Sequence, residues 1–136
     1  MYPSDLRRGI SCVFLLHVHL VFVTKYRRSI FGRDHREAMK SVFEKVCMDF
    51  GSILVEMDGA QDHVHLLVNY PPKVALSRLV NSLKGVSSRR LKQQYPALKQ
   101  CYWKGALWSP SYFAGSCGGA PLETVKHYIS QQSTKN

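Results

Sequence analysis

Residues 62–70 read DHVHLLVNY. In an extended chain successive side chains point to opposite faces, so His63, His65, Leu67 and Asn69 share one face and Val64, Leu66 and Val68 the other. The second face belongs on a core. The first then carries two imidazoles about 7 Å apart at the Cα level, from the rise per residue. Pro71-Pro72 stops the strand. Just upstream, SILVEMDG (52–59) reads as another strand, and Gly59-Ala60-Gln61 joins the two as a hairpin.

The same reasoning extends in both directions. Residues 12–24 are rich in Val, Leu and Phe with no breaker and read as one long, central, buried strand. A basic connection, KYRRSIFGR (25–33), follows. Residues 34–50 are predicted helical, with Asp34 as cap, Met39, Val42, Phe43, Val46 and Phe50 at helical spacing, and Gly51 as the stop. Residues 74–94 form a second helix on the stripe Leu76, Leu79, Val80, Leu83, Val86 and Leu91, ended by Pro96. Residues 97–108 read as irregular, basic and aromatic, and 109–116 as a fourth strand. The glycines of 115–119 make a flexible link to a third helix over 122–132, with Pro121 near its first turn. Strand, helix, strand, strand, helix, strand is the α+β, ferredoxin-like βαββαβ pattern, here with an added C-terminal helix, in a single domain over 1–136.

Nineteen Lys and Arg stand against nine Asp and Glu, a formal charge of +10. The excess is uneven: residues 1–62 hold nine basic and eight acidic side chains, 63–122 hold eight basic and no acidic ones. A stretch of that length without a carboxylate lines whatever it faces with positive potential, and nucleic-acid backbone is the commonest partner. A solubilising face or an anionic membrane surface is the plainer alternative. The four cysteines (12, 47, 101, 117) form no C-x-x-C pair and read as buried or free thiols in a reducing compartment. The apolar run 12–23 is too short to span a bilayer, and no signal-peptide pattern opens the chain, so a cytoplasmic protein is expected.

Two ring nitrogens at the spacing of His63 and His65 can converge on one divalent ion, and Asp62 can orient a ring or support the ion from outside. A single H-x-H is weak, because two hydrogen-bonded structural histidines look the same. His17 and His19 repeat the pattern in the first strand, and local spacing does not choose between the pairs. In the last helix Leu122, Val125 and Ile129 make an apolar stripe, with Tyr128 and Gln132 one above the other beside it. That places a phenol, a candidate nucleophile, beside an amide oxygen able to ligate metal; an ordinary packed tyrosine is the alternative.

Taken together, HLVFVTKYRR, DHVHLLV and LWSPSYFAGSCGGAPLETVKHYISQQ, in that order from about residue 12 to residue 132, resemble the single-tyrosine HUH transposases of small hairpin-ended bacterial insertion sequences. HUH denotes His, a hydrophobic residue, His. The resemblance implies His63, His65 and Gln132 as ligands of Mg2+ or Mn2+, Tyr128 as nucleophile, and His17 and His19 as structural or supporting residues. It also implies transfer of hairpin-ended single-stranded DNA through a 5′-phosphotyrosine link, in a homodimer whose tyrosine helix can act in cis or, as in relatives, in trans. The residues themselves suggest a DNA cradle of Lys84, Arg89, Arg90, Lys92 and Lys104 for phosphates, with Tyr102 and Trp103 for stacking; a solvated helix face is the alternative for those charges. Rival readings are a non-catalytic nucleic-acid module, a domesticated relative acting on genomic palindromes, and a replication or mobilisation nuclease. The first is disfavoured by histidines standing where a base-stacking strand would carry rings. No G-x-x-x-x-G-K-[ST] loop is present, consistent with chemistry that needs no ATP.

Overall fold

The computed structural model describes residues 6–101 and 107–116. The apolar run 12–24 is not one strand. Strand β1 (Arg7–Gly9) pairs with β2 (Cys12–Phe14) in a separate two-stranded hairpin, and the chain re-enters a sheet only at β3 (His17–Val23). The reversal at Ile10-Ser11 puts Ser11 at φ 61, and the turn carries neither Gly nor Pro in its two central positions, so no breaker announces it.

Helix α1 (Arg33–Asp49) follows a short 3-10 turn at Lys25–Arg27. Its cap is Gly32 rather than Asp34, which falls in the first turn where a negative charge suits the helix dipole. The backbone N–H of Gly32 donates to Nδ1 of His35 at 2.9 Å, so the imidazole reaches back as the acidic partner of a capping box would. At the other end Ser52 N–H bonds the Cys47 carbonyl (2.8 Å) and Gly51 N–H the Met48 carbonyl (2.9 Å). This is a Schellman stop, and Gly51 supplies the φ of +64 it requires.

Strands β4 (Ile53–Gly59) and β5 (His63–Asn69) form the expected hairpin, with an irregularity in β4 between Leu54 and Glu56. Helix α2 spans Leu76–Gln94, and Pro96, expected only to end it, opens the short helix α3 (Pro96–Cys101). Strand β6 is Phe113–Ser116, shorter than the expected 109–116, and Gly115 and Ser116, which the strand and the flexible link both claimed, are paired with His19 and Val18. Residues 117–132, with the rest of that link and the tyrosine helix, lie outside the described residues.

The main sheet runs β4-β5-β3-β6 with every neighbouring pair antiparallel, the ferredoxin-like arrangement. Val18, Leu20 and Phe22 of β3 and Val64, Leu66 and Val68 of β5 meet Met39, Phe43, Leu79, Leu83 and Leu91 of the two long helices in one core. Both helices therefore cover the same sheet face. The opposite face carries the histidines.

Candidate active site on the free sheet face

The register of β3 on β5 sets Val21 opposite His65, Val23 opposite His63, His19 opposite Leu67 and His17 opposite Asn69. Directly opposed residues share a face, so both H-x-H pairs lie on the side away from the helices. His63 and His65 are 2% and 4% exposed. Their ring centroids stand 4.9 Å apart at an interplanar angle of 87°.

The two pairs have different tasks. His19 Nε2 lies 3.2 Å from His65 Nδ1, with the rings stacked at 5.5 Å, and the Phe113 ring of β6 packs edge-on to His19 at 5.4 Å. His17 Nε2 lies 3.3 Å from the side-chain amide of Asn69. Burial, then the neighbouring His63 and His19 rings, lowers the pKa of His65 to about 4, and burial lowers that of His19, so both rings are neutral near pH 7. A neutral imidazole has one N–H. Either ring can donate across this contact; in the tautomer where His65 donates from Nδ1, its Nε2 is a lone pair, and that atom is buried with no hydrogen-bond partner among the described residues. A buried acceptor without a donor is destabilising, and a cation would satisfy it.

His63 is fixed by a different relay. Its Nδ1–H donates to Asp62 Oδ1 at 2.9 Å, and Asp62 Oδ2 accepts from Arg27 Nε and Nη2, each at 3.1 Å. Burial raises the pKa of Asp62, but the hydrogen bonds from His63 and Arg27 and the Arg27 charge outweigh it and hold the carboxyl below its usual range. A carboxylate on the far nitrogen of a ligating histidine fixes its tautomer and raises its basicity. Among the described residues no group of three His, Cys, Asp or Glu is arranged to hold an ion. Gln132, Tyr128, Tyr102, Trp103 and Lys104 lie outside the described residues.

Replacing Asp62 with Ala is expected to weaken Mn2+ binding about 10- to 100-fold. Isothermal titration of wild type and variant measures this, and equal affinities would separate the relay from the ion.

The predicted DNA-cradle residues divide. Lys84 Nζ donates to the carbonyls of Ser109 (2.7 Å) and Pro110 (3.2 Å), lies 5.5 Å from the Tyr112 ring, and has its pKa lowered by burial. It fastens the segment leading into β6. Arg89 and Arg90 are exposed and line a cavity of about 380 Å³ between α1 and α2, on the helical side of the sheet. Lys92 is half-buried, and burial followed by the charge of Lys25 lowers its pKa. Sequence reasoning passed over Arg27, read only as part of a basic connection, and it left the role of His19 open. Both depend on strand register, which local spacing does not carry.

The molecule thus combines a ferredoxin-like sheet, with helices on one face, and a His-Val-His pair held by flanking groups on the other. The chain belongs to the IS200-like transposase family, whose model matches residues 12–132, and is thereby a DNA strand transferase. It is 32% identical over 133 residues to the ISDra2 transposase TnpA of Deinococcus radiodurans, covering 98% of this chain and 95% of that one. It is 33% identical over 114 residues to the transposase of insertion sequence IS200 from Salmonella typhimurium, covering 84% and 74%. Among solved structures, a Deinococcus radiodurans protein described as a transposase superposes with a TM-score of 0.76 at 32% identity, over 93% of this chain and 97% of that one. A REP-associated tyrosine transposase bound to a REP hairpin shares the fold at 14% identity, with a TM-score of 0.58 over 84% of this chain and 62% of that one. Among the described residues no helix is long and apolar enough to cross a membrane.

Proposed function

We propose that this transposase cleaves and rejoins hairpin-ended single-stranded DNA, with Tyr128 as nucleophile and with Mg2+ or Mn2+ held by His63, His65 and Gln132. The observation carrying the reading is the Nε2 of His65, buried and without a partner among the described residues, beside a His63 ring fixed by Asp62. Neutral imidazole with an available lone pair is what a divalent ion takes, and two nitrogens suit Mn2+ better than the oxygen-preferring Mg2+. When bound, the ion supplies Lewis-acid stabilisation of charge on the scissile phosphate.

The chain's own groups do the rest. The Tyr128 oxygen attacks phosphorus in line, the bond to the 3′ oxygen breaks, and that oxygen leaves as a hydroxyl after taking a proton. The products are a 5′-phosphotyrosine link and a free 3′-hydroxyl. A second strand's 3′-hydroxyl then attacks the same phosphorus and frees the phenol, so bond energy is conserved without ATP. An unperturbed phenol has a pKa of about 10, so Tyr128 needs assistance in losing its proton. His19 and Asp62 hold the two ligating rings in their tautomers throughout. Arg89, Arg90, Lys92 and Lys104 would contact phosphates, and Tyr102 and Trp103 would stack on bases. The glycines at 118 and 119 and the short sequence before Tyr128 suit a homodimer in which each tyrosine helix serves the partner's histidines.

The test is incubation with end-labelled, hairpin-ended single strands plus Mn2+, followed by a denaturing gel. A protein–DNA adduct is expected that vanishes in Tyr128→Phe and on chelation. An adduct that survives Tyr128→Phe would reassign the nucleophile.

A further inference from the structure

Immediately after β3 the chain makes a turn in left-handed backbone. Tyr26 lies at φ 65 and Arg27 at φ 53, left-handed backbone that bulky side chains rarely adopt. The Tyr26 ring is 73% exposed, so it returns little burial for this unfavourable backbone. Lys25 Nζ and the Arg28 guanidinium carbon lie 5.5 and 5.6 Å from the ring centroid. The turn is nonetheless anchored on several sides. Thr24 N–H donates to the Asp62 carbonyl (2.9 Å), Lys25 N–H to the Leu107 carbonyl (2.9 Å), the Thr24 hydroxyl to the Arg28 carbonyl (2.9 Å), and Arg28 Nη1 to the Cys101 carbonyl (3.0 Å). Arg27 reaches the Asp62 carboxylate, which in turn holds His63.

We propose that Tyr26 is a nucleobase-stacking residue at the rim of the histidine site, seating an unpaired base of the single strand next to the scissile phosphate. The inference rests on the single-stranded DNA reading above and names a residue it lacked. A solvent-facing ring held by fixed hydrogen bonds loses little freedom on binding, and its π-face accepts any base. Lys25 and Arg28 flank it with the charge that a phosphate backbone needs, and Lys92, whose titration already senses Lys25, extends that charge along α2. Asp62 is the acidic side chain shown facing the turn, and Arg27 already neutralises it.

Tyr26→Gly is the decisive variant, because glycine suits the left-handed backbone and removes no charge. The probe is a DNA hairpin with a ten-nucleotide oligo-dT tail carrying 2-aminopurine at successive tail positions. Wild-type protein should bind it and quench the fluorophore at one or two positions. Tyr26→Gly should bind roughly ten-fold more weakly. It should lose the quenching, keep the slope of log affinity against log salt, and show no fall in Tm. Tyr26→Phe and Tyr26→Trp should bind and quench as wild type does. Unchanged binding in Tyr26→Gly, or a Tyr26→Phe variant as weak as the glycine one, overturns the stacking role while leaving the transposase chemistry intact. Failure of the wild-type protein to bind the probe at all overturns the single-stranded DNA reading and this inference with it.

Discussion

His65→Ala is expected to reduce Mn2+-dependent cleavage of a hairpin-ended strand to the level seen with chelator, a loss of at least about a hundred-fold. The lower bound comes from the supporting residues: deleting a group that merely orients a ligand loses about 10- to 100-fold, and deleting the ligand must lose more. The geometry singles out this histidine of the four on the face. Its Nδ1 is engaged by His19, and its Nε2 is buried without a partner among the described residues. The same ring contributes to acid stability in the metal-free protein. The unfolded chain takes up the His65 proton near pH 6.5, whereas the folded ring resists until about 4, so between those values the unfolded state binds more protons. The ring's contribution to stability is complete above 6.5 and is lost as pH falls through that window, at no more than about 1.4 kcal/mol per pH unit. Urea denaturation of the metal-free protein from pH 7 to 4 should show a steeper acid loss in wild type than in His65→Ala. Cleavage within ten-fold of wild type would remove His65 from the metal site.

Why this ring could be picked out only in part from sequence is a matter of range. The alternation of DHVHLLVNY placed His63 and His65 opposite Val64, Leu66 and Val68, and the sheet realises that division. Helical spacing located α1 and α2 within two residues at each end, and Gly51 marked a real stop. These are local properties, set by side chains a few positions apart. The separation of β2 from β3 was not legible, because an apolar run carries no mark of where it changes partner when no Gly or Pro interrupts it. The different surroundings of the two histidine pairs were not legible from local spacing either, and only the family resemblance told them apart. They follow from His19 meeting His65 across 46 positions, while Arg27 meets Asp62 across 35. Which residues face one another across a sheet is fixed by register, and register comes from the packing of the whole core.

Trp108→Ala should lower stability by about 3–5 kcal/mol, with a fall in Tm on the order of 10–20 °C. Trp108 is 1% exposed, and its ring centroid lies 5.3 Å from that of Phe31, 5.8 Å from Phe22 and 6.5 Å from Phe43. Its Nε1–H donates to the buried Ser87 hydroxyl at 2.9 Å, and that hydroxyl donates to the Lys84 carbonyl at 3.1 Å. Removal of the indole thus opens a large cavity among rings that cannot all collapse into it, and a typical domain has only about 5–15 kcal/mol in total. The effect extends beyond the core. Leu107 N–H is held by Ser88 Oγ, Ser109 N–H by the Val23 carbonyl, and Lys84 clamps the carbonyls of Ser109 and Pro110. This segment delivers β6, whose Phe113 packs on His19, and Nε2 of His19 meets Nδ1 of His65. Trp108→Ala should therefore weaken Mn2+ binding even at temperatures where the variant is fully folded. Trp108→Phe keeps most of the ring packing and loses only the bond to Ser87, about 1 kcal/mol, so its metal affinity should stay near wild type. Equilibrium urea unfolding and metal titration of the two variants measure both effects. A Trp108→Ala protein destabilised by less than about 1 kcal/mol would mean that the aromatic cluster does not hold the 107–109 segment in place.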